Sequence, residues 1–212
     1  MSLTQEIEKF KQEMAQVIHA DAMAIIQKAQ EELVAAGTGA GALRQGDQAK
    51  DAVLSDIEGR PVRLSDLWKN QPVVLVFYRG GWCPFCNLEL QAYQRAVPEF
   101  QKAGVAIAAI SPERAEHGRA TRDKHTLSFP LLTDTDNQAA RLYGLLFDVP
   151  AMLKPIYQKF GVDLMLHNTT GAWSLPVPGT FAIAKGGKIE RALVDVNYTN
   201  RLEPGEALAA LL

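Results

Sequence analysis

Residues 73–86 have the sequence VVLVFYRGGWCPFC. The segment begins with six consecutive apolar, β-branched or aromatic side chains, a pattern typical of a β-strand that is buried on both faces. It ends in a Cys-x-x-Cys motif, and Pro84 between the cysteines is tolerated in the first turn of a helix. The pattern therefore predicts a buried strand followed by a helix over 84–102, with Cys83 and Cys86 at the start of that helix.

This position matters for the chemistry of the two cysteines. The first N–H groups of a helix lack backbone partners and carry the positive end of the helix dipole, so they stabilise an anion such as a thiolate. An ordinary cysteine has a pKa near ~8.5, and such a position lowers it by one to several units. We therefore expect Cys83, exposed at the helix start, to be the attacking thiolate. Cys86, one turn further along, is close enough to attack an adduct on Cys83 and close a disulfide.

Four neighbouring or distant residues are candidates for supporting roles. Arg79, four residues before Cys83, is placed to add positive charge to the site, and an ordinary surface cation is the alternative. Trp82 either covers the cysteine pair or packs as an ordinary core aromatic. Pro84 starts the helix. Pro178 directly precedes a predicted strand, and an X-Pro bond in that place is a candidate cis peptide.

The cysteine count favours redox chemistry over a structural role. The chain has only two cysteines, and a disulfide across so short a loop would stabilise the fold little. Zinc requires four ligands, and none of the four histidines lies at ligand spacing from the pair: His19, His117, His125 and His167. We therefore expect no metal and no other cofactor. Two buried bystander thiols are the remaining alternative.

Charge and hydropathy exclude two classes of partner. The formal net charge is −2, and Lys and Arg are not clustered, which argues against binding to nucleic acid. The longest apolar runs are strand-sized, far below the ~20 residues of a membrane span. The first residues alternate charged with apolar side chains and so do not form a signal-peptide core. We expect a cytoplasmic protein.

Strand and helix patterns alternate over 46–212. A second buried apolar run at 105–110 follows the first helix, which predicts a parallel βαβ unit. Pro98 predicts a kink or break in that helix. Prolines interrupt 144–178, which we interpret as an insertion with a helix over 151–160. Two predicted hairpins add antiparallel strands: 52–57 with 62–64, and 180–184 with 188–197. The sequence therefore predicts an α/β fold with a mixed sheet.

Residues 1–45 are predicted to form an N-terminal extension. Apolar residues at helical spacing predict one long helix over 2–36, whose apolar stripe changes register near Val17. Glycines in 37–46 end the helix and make a flexible joint. We therefore divide the chain into this extension and a redox domain at 46–212. The helix packs either on its own domain or on a second copy of the chain. Because a straight helix of this length spans about 50 Å, part of it should reach past its own domain, and we expect a homodimer.

The motif also carries a family resemblance. Residues 77–86, FYRGGWCPFC, resemble the redox motif of peroxiredoxin-like proteins of the AhpC/TSA (alkyl hydroperoxide reductase/thiol-specific antioxidant) family, within the thioredoxin superfamily. The resemblance runs over about 46–212 and includes Val177-Pro178-Gly179-Thr180. It implies a thioredoxin-like fold of three αβα layers and a cis peptide at Pro178 beside the cysteines. It further implies a peroxide substrate and a thioredoxin- or glutathione-like reductant.

The motif departs from the ordinary peroxiredoxin pattern before Cys83. Val76 and Gly80 stand where that pattern has Pro and Thr or Ser, and we match no residue to the family's catalytic arginine. Cys86 instead completes a Cys-x-x-Cys motif, as in thioredoxins and glutaredoxins. We expect a thiol-dependent peroxidase that reduces hydrogen peroxide or organic hydroperoxides. A thiol-disulfide oxidoreductase acting on a protein disulfide is the alternative, and a non-catalytic binding module is the third reading.

Overall fold

A computed structural model describes all residues, 1–212. It contains nine strands and nine α-helices. The strands are β1 (Val53–Asp56), β2 (Pro61–Arg63), β3 (Val73–Phe77), β4 (Ala106–Ser111), β5 (Leu131–Thr133), β6 (Leu146–Asp148), β7 (Ser174–Pro176), β8 (Gly179–Ile183) and β9 (Ile189–Val194). The helices are α1 (Leu3–Val17), α2 (Ala20–Ala35), α3 (Leu64–Lys69), α4 (Pro84–Lys102), α5 (Ala115–His125), α6 (Gln138–Leu142), α7 (Lys154–Lys159), α8 (Leu164–His167) and α9 (Pro204–Ala209).

Seven of the strands form one mixed sheet. Their order is β2-β1-β5-β4-β3-β8-β9, with β3 in the interior between parallel β4 and antiparallel β8. All five residues of β3 are buried, as the continuous apolar run predicts. The side chains of β3 alternate between two cores: Val74 and Val76 face the core that α1, α4 and α9 cover, and Leu75 faces the core beneath α3 and α6. The predicted three-layer αβα, thioredoxin-like fold is confirmed.

Helix α4 places both cysteines at the centre of this architecture. It begins directly after the β3 loop and buries one face against the sheet. The helix continues from Pro84 to Lys102 through Pro98, so of the predicted kink or break, the break does not occur. A proline in a helix interior removes one backbone hydrogen bond, but the burial of Leu90, Tyr93 and Phe100 holds the two halves together.

The predicted single helix over 2–36 is wrong, because the chain forms two helices there. Helix α1 ends at Val17; the next residue, Ile18, has an extended backbone (φ −84°, ψ 126°), and His19 is also non-helical (φ −58°, ψ 141°). The break coincides with the change of register in the apolar stripe. Helix α1 buries Leu3 and Ile7 against the α4 side of the core, and Glu203 accepts hydrogen bonds from the first N–H groups of the helix. The two helices therefore lie on the domain and do not reach past it as one rod.

The region 144–178 forms a small subdomain with a core of its own. Strands β6 and β7 pair as a separate two-stranded sheet. The predicted helix over 151–160 begins with a 3₁₀ turn, Ala151–Leu153, and continues as α7. Ala29 of α2 is completely buried in the same core. Helix α2 thus joins this subdomain to the N-terminal extension. No helix in the protein combines the length and the apolar character needed to cross a membrane.

Candidate active site

The two cysteines occupy the first turn of α4. Cys83 is the N-cap residue, Pro84 is the first helical residue, and Cys86 follows on the inward face. Both thiols are free. The loop between β3 and Cys83 contains Gly80, whose φ of 151° lies in the region that favours glycine. A Cβ on Gly80 would lie 2.3 Å from Nε1 of Trp82, so no larger residue fits beneath that indole.

The expected exposure of Cys83 is wrong, because both cysteines are completely buried. Cys83 is covered by the Arg79 guanidinium, and aromatic rings lie against that guanidinium. The Tyr157 ring of α7 lies 5.3 Å from the Trp82 ring, and the Tyr198 ring lies 4.2 Å from the guanidinium carbon of Arg79. Two of these rings come from parts of the chain far from the motif. A substrate therefore reaches the Cys83 sulfur only when these side chains move.

Arg79 is buried, not a surface cation, and it contacts the Cys83 sulfur directly. Its Nη2 donates a hydrogen bond to Cys83 Sγ at 3.1 Å, and its Nη1 donates to the Tyr157 hydroxyl at 3.1 Å. The guanidinium carbon lies 4.2 Å from the centre of the Tyr198 ring. No carboxylate pairs with this guanidinium. A buried charge without a counter-ion is strongly unfavourable, so Arg79 favours an anionic Cys83.

A second buried cation, Arg201, contacts the sulfur of Cys86. Its Nη2 donates to Cys86 Sγ at 3.5 Å, and its Nη1 forms a buried ion pair with Glu89. Glu89 also accepts a hydrogen bond from Thr180 Oγ1 at 3.0 Å. Because Glu89 already balances the charge of Arg201, Arg201 stabilises a Cys86 thiolate less than Arg79 stabilises a Cys83 thiolate. Sequence analysis missed both residues; the one available signal was an acidic side chain three residues after Cys86 on the inward face of α4.

These contacts shift the pKa values of the two thiols in opposite directions. Burial raises the pKa of Cys83, but the hydrogen bond from the Cys86 thiol and the charges of Arg79 and Arg201 outweigh it and hold the pKa well below its usual range. Burial and the neighbouring Cys83 thiolate raise the pKa of Cys86 well above its usual range. The site therefore holds one thiolate and one thiol, which is the arrangement an attacking and a resolving cysteine require.

Glu113 is a further buried acid that the sequence did not reveal. Its Oε2 accepts a hydrogen bond from the Gly81 N–H at 2.8 Å and so fixes the loop before Cys83. Burial raises the pKa of Glu113 to about 7. The same loop passes close to α5, where a Cβ on Gly81 would lie 1.9 Å from Thr121 Oγ1. The loop geometry therefore depends on contacts with Glu113, which follows β4, and with α5 as well as on its own sequence.

The remaining predicted residues line one cavity beside the cysteines. Trp82, Pro84 and Pro178 all contribute to its wall together with Arg79. The predicted cis peptide at Pro178 is wrong, because the protein contains no cis peptide bond. The chain runs extended from β7 into β8, with the Val177 N–H donating to the Leu145 carbonyl, and β8 then pairs with β3 from Gly179 onward.

Comparisons with known proteins agree with the motif and the fold. A sequence model of the AhpC/TSA family matches residues 45–192. The chain is 30% identical over 175 residues to the chloroplastic peroxiredoxin Q of Oryza sativa subsp. japonica, covering 81% of this chain and 68% of that protein. It is 34% identical over 119 residues to the chloroplastic peroxiredoxin Q of Sedum lineare, a match that spans 54% of this chain and 63% of the relative.

The thiol-disulfide oxidoreductase ResA of Geobacillus thermodenitrificans is 29% identical over 153 residues, covering 72% of this chain and 70% of that protein. Among solved structures, peroxidoxin BcpB of Mycobacterium tuberculosis superposes with a TM-score of 0.62 at 22% identity, covering 79% of this chain and 96% of that one. Reduced Prx3 of Vibrio vulnificus, in complex with hydrogen peroxide, gives a TM-score of 0.63 at 20% identity over 80% and 99% of the two chains. At these identities the structures show the shared fold alone. The family match, the buried Cys-x-x-Cys at the head of α4 and the thioredoxin-like sheet together show that this chain belongs to the AhpC/TSA family.

Proposed function

We propose that the protein is a thiol-dependent peroxidase in which Cys83 attacks a hydroperoxide and Cys86 resolves the product. The observation that carries this proposal is the buried Arg79 guanidinium at 3.1 Å from Cys83 Sγ without a carboxylate partner. That cation keeps Cys83 in the thiolate form. It also lies where negative charge develops on the oxygen atoms during attack, and a preorganised donor in a water-poor site stabilises such charge strongly.

The reaction proceeds in three steps. The Cys83 thiolate attacks the terminal oxygen of the hydroperoxide and the O–O bond breaks; the leaving alkoxide or hydroxide takes a proton and departs as alcohol or water. The sulfur of Cys86 then attacks the Cys83 sulfenic acid, so that the S–O bond breaks, water leaves and a Cys83–Cys86 disulfide forms. A thioredoxin- or glutathione-like thiol reduces this disulfide by exchange and is itself oxidised.

Dithiol–disulfide exchange is the second candidate function, favoured by the Cys-x-x-Cys spacing and the similarity to ResA. There Cys83 attacks a protein disulfide, and Cys86 releases the mixed disulfide. A non-catalytic module is the weakest reading, because both cysteines are present and two buried arginines contact their sulfurs.

Stopped-flow mixing of the reduced protein with hydrogen peroxide separates the two activities. Trp82 lies beside the pair, so intrinsic tryptophan fluorescence reports oxidation, and the Cys83→Ser variant supplies the blank. We expect the wild-type protein to react at least 100-fold faster than free cysteine, since Arg79 supplies transition-state stabilisation that water lacks. A rate no faster than free cysteine, together with rapid reduction of a protein disulfide, assigns the exchange function instead.

Two broader features remain part of the proposal. A homodimer is supported by apolar side chains exposed on α2, among them Met23 and Ile25, which form a surface that a second copy can cover; sedimentation of the full chain tests it. A cytoplasmic location is supported by the use of both cysteines as one redox pair, and cell fractionation tests it.

A further inference from the structure

A large cavity lies beside the cysteine pair. Its volume is about 570 Å³, and 17 of its 25 lining residues are hydrophobic. Hydrogen peroxide needs only a small fraction of that space, whereas cavities of roughly 300–1,000 Å³ hold drug-sized ligands. Arg79, Tyr157 and Tyr198 lie on its wall, and both tyrosines contact Arg79. Arg79 in turn contacts Cys83 Sγ. Arg79 therefore separates the cavity from the reacting sulfur, and movement of its side chain opens the path between them.

The N-terminal extension supplies a large part of the cavity wall. Residues of both α1 and α2 line it: Phe10, Met14, Val17, Ile26, Gln30 and Leu33. The Phe10 ring packs edge-on against the ring of Phe85, with ring centres 5.3 Å apart. Phe85 lies between the two cysteines in the sequence. This extension lies outside the part of the chain that the family model matches, 45–192. The cavity in this form is therefore built by a segment added to the family domain.

The charge of the lining limits what the cavity can accept. No Asp or Glu lines it, and its only charged side chains are the cations Arg79 and Lys124. Such a lining favours a neutral or anionic ligand over a cationic one. Burial of a ligand's long hydrocarbon chain against the cavity's apolar side chains is favourable. These two requirements together describe an aliphatic chain with a polar or acidic end.

We propose that α1 and α2 form a binding site for the aliphatic chain of a long-chain organic hydroperoxide, and that this site makes such hydroperoxides the preferred substrates. The inference rests on the proposed peroxidase function. The hydroperoxide group lies at Arg79 and Cys83, while the hydrocarbon chain lies between the N-terminal helices and the 144–178 subdomain. The bonds that break and form are those of the peroxidase reaction proposed above, and the product that leaves is a long-chain alcohol.

Binding of the product alcohol tests the site without turnover. The probe is a long-chain hydroxy fatty acid, titrated by calorimetry into the Cys83→Ser protein. Adding Leu33→Glu, which places a charge on the cavity wall, is expected to weaken binding at least tenfold, in line with the roughly 10–200-fold effect of a methylene group in an apolar pocket. Val34→Glu is the matched control, because Val34 is the next residue of α2 and is 61% exposed.

Competition between substrates tests the preference itself. With Cys83 intact, kcat/KM for linoleic acid hydroperoxide is expected to exceed that for hydrogen peroxide, and Leu33→Glu is expected to reduce this ratio about tenfold while Val34→Glu leaves it unchanged. Val17→Glu, at the exposed rim of the cavity, repeats the test should Leu33→Glu fold poorly.

Three results would overturn the inference: a ratio near one in the wild type, equal loss of both activities in Leu33→Glu, or a hydroxy acid that does not bind. Failure of the proposed function itself looks different. In that event neither hydroperoxide oxidises Cys83 in the wild-type protein, whatever the calorimetry shows, and the substrate assignment falls with it.

Discussion

Replacing Arg79 with methionine is expected to slow the oxidation of Cys83 by hydroperoxide about 100- to 1,000-fold, the usual cost of losing one preorganised donor at a developing anion. Methionine keeps much of the side-chain volume and the packing against Tyr198, but it removes the charge and the hydrogen bond to Cys83 Sγ. The effect is measured by single-turnover kinetics of the reduced protein.

The same variant should also shift the pH dependence of the reaction. The pKa of Cys83 is held low in the folded protein, so wild-type reactivity persists below the ordinary thiol pKa and falls as pH drops through the lowered value. Without Arg79 the pKa rises and the pH profile moves to higher pH. Arg95→Met is the control, because Arg95 lies on the same helix α4 but is solvent-exposed. An unchanged profile in Arg79→Met would show that Arg79 does not set the charge of Cys83.

The second large effect concerns the ion pair beneath Cys86. Glu89→Gln is expected to reduce the free energy of unfolding by about 3–5 kcal/mol, because it leaves the buried Arg201 guanidinium without its counter-ion. Urea unfolding measures the change. Glu6→Gln provides a matched comparison: its exposed pairing with Arg95 is worth no more than about 1 kcal/mol.

This variant also tests how charge is divided between the two thiols. In the wild type Glu89 neutralises Arg201, and the Cys86 pKa stays high. Once Glu89 is neutral, the free charge on Arg201 should favour a Cys86 thiolate, so the pKa of Cys86 falls. Alkylation of Cys86 in a Cys83→Ser background, followed against pH with and without Glu89→Gln, reports the change. Equal stability of the variant and the wild type would mean that the Glu89–Arg201 pair is not a buried charge pair in solution.

The centre of the fold could be predicted because its signals are local. Five consecutive apolar residues form β3, and Pro84 marks the first turn of α4. The position of Cys83 and Cys86 at the helix start follows from these two facts alone. An equally local signal predicts a kink or break at Pro98, but tertiary packing keeps the helix continuous there.

The surroundings of the site could not be predicted, because they come from distant parts of the chain. Arg201 and Tyr198 precede α9, more than 100 residues after Cys83, and Tyr157 belongs to the 144–178 subdomain. No periodicity or spacing places these side chains beside the cysteines. Their convergence explains why Cys83 is buried and not exposed.

The N-terminal extension shows the same limit of local patterns. The change of register near Val17 was visible in the sequence, but it marks a break between two helices, not a stutter in one. Two short helices can fold over the domain, whereas one rigid helix of ~50 Å cannot. The consequence is functional, since both helices line the cavity beside the active site.

The most direct test of the account is to locate the first oxidised sulfur. Cys83→Ser and Cys86→Ser proteins are each treated with one equivalent of hydroperoxide in the presence of a sulfenic acid trap, and the labelled residue is identified by mass spectrometry. We predict a labelled Cys83 in the Cys86→Ser protein and no comparable label on Cys86 in the Cys83→Ser protein, because no carboxylate balances Arg79 whereas Glu89 balances Arg201. Rapid labelling of Cys86 in the absence of Cys83 would contradict it and would assign the attack to the thiol beside Arg201.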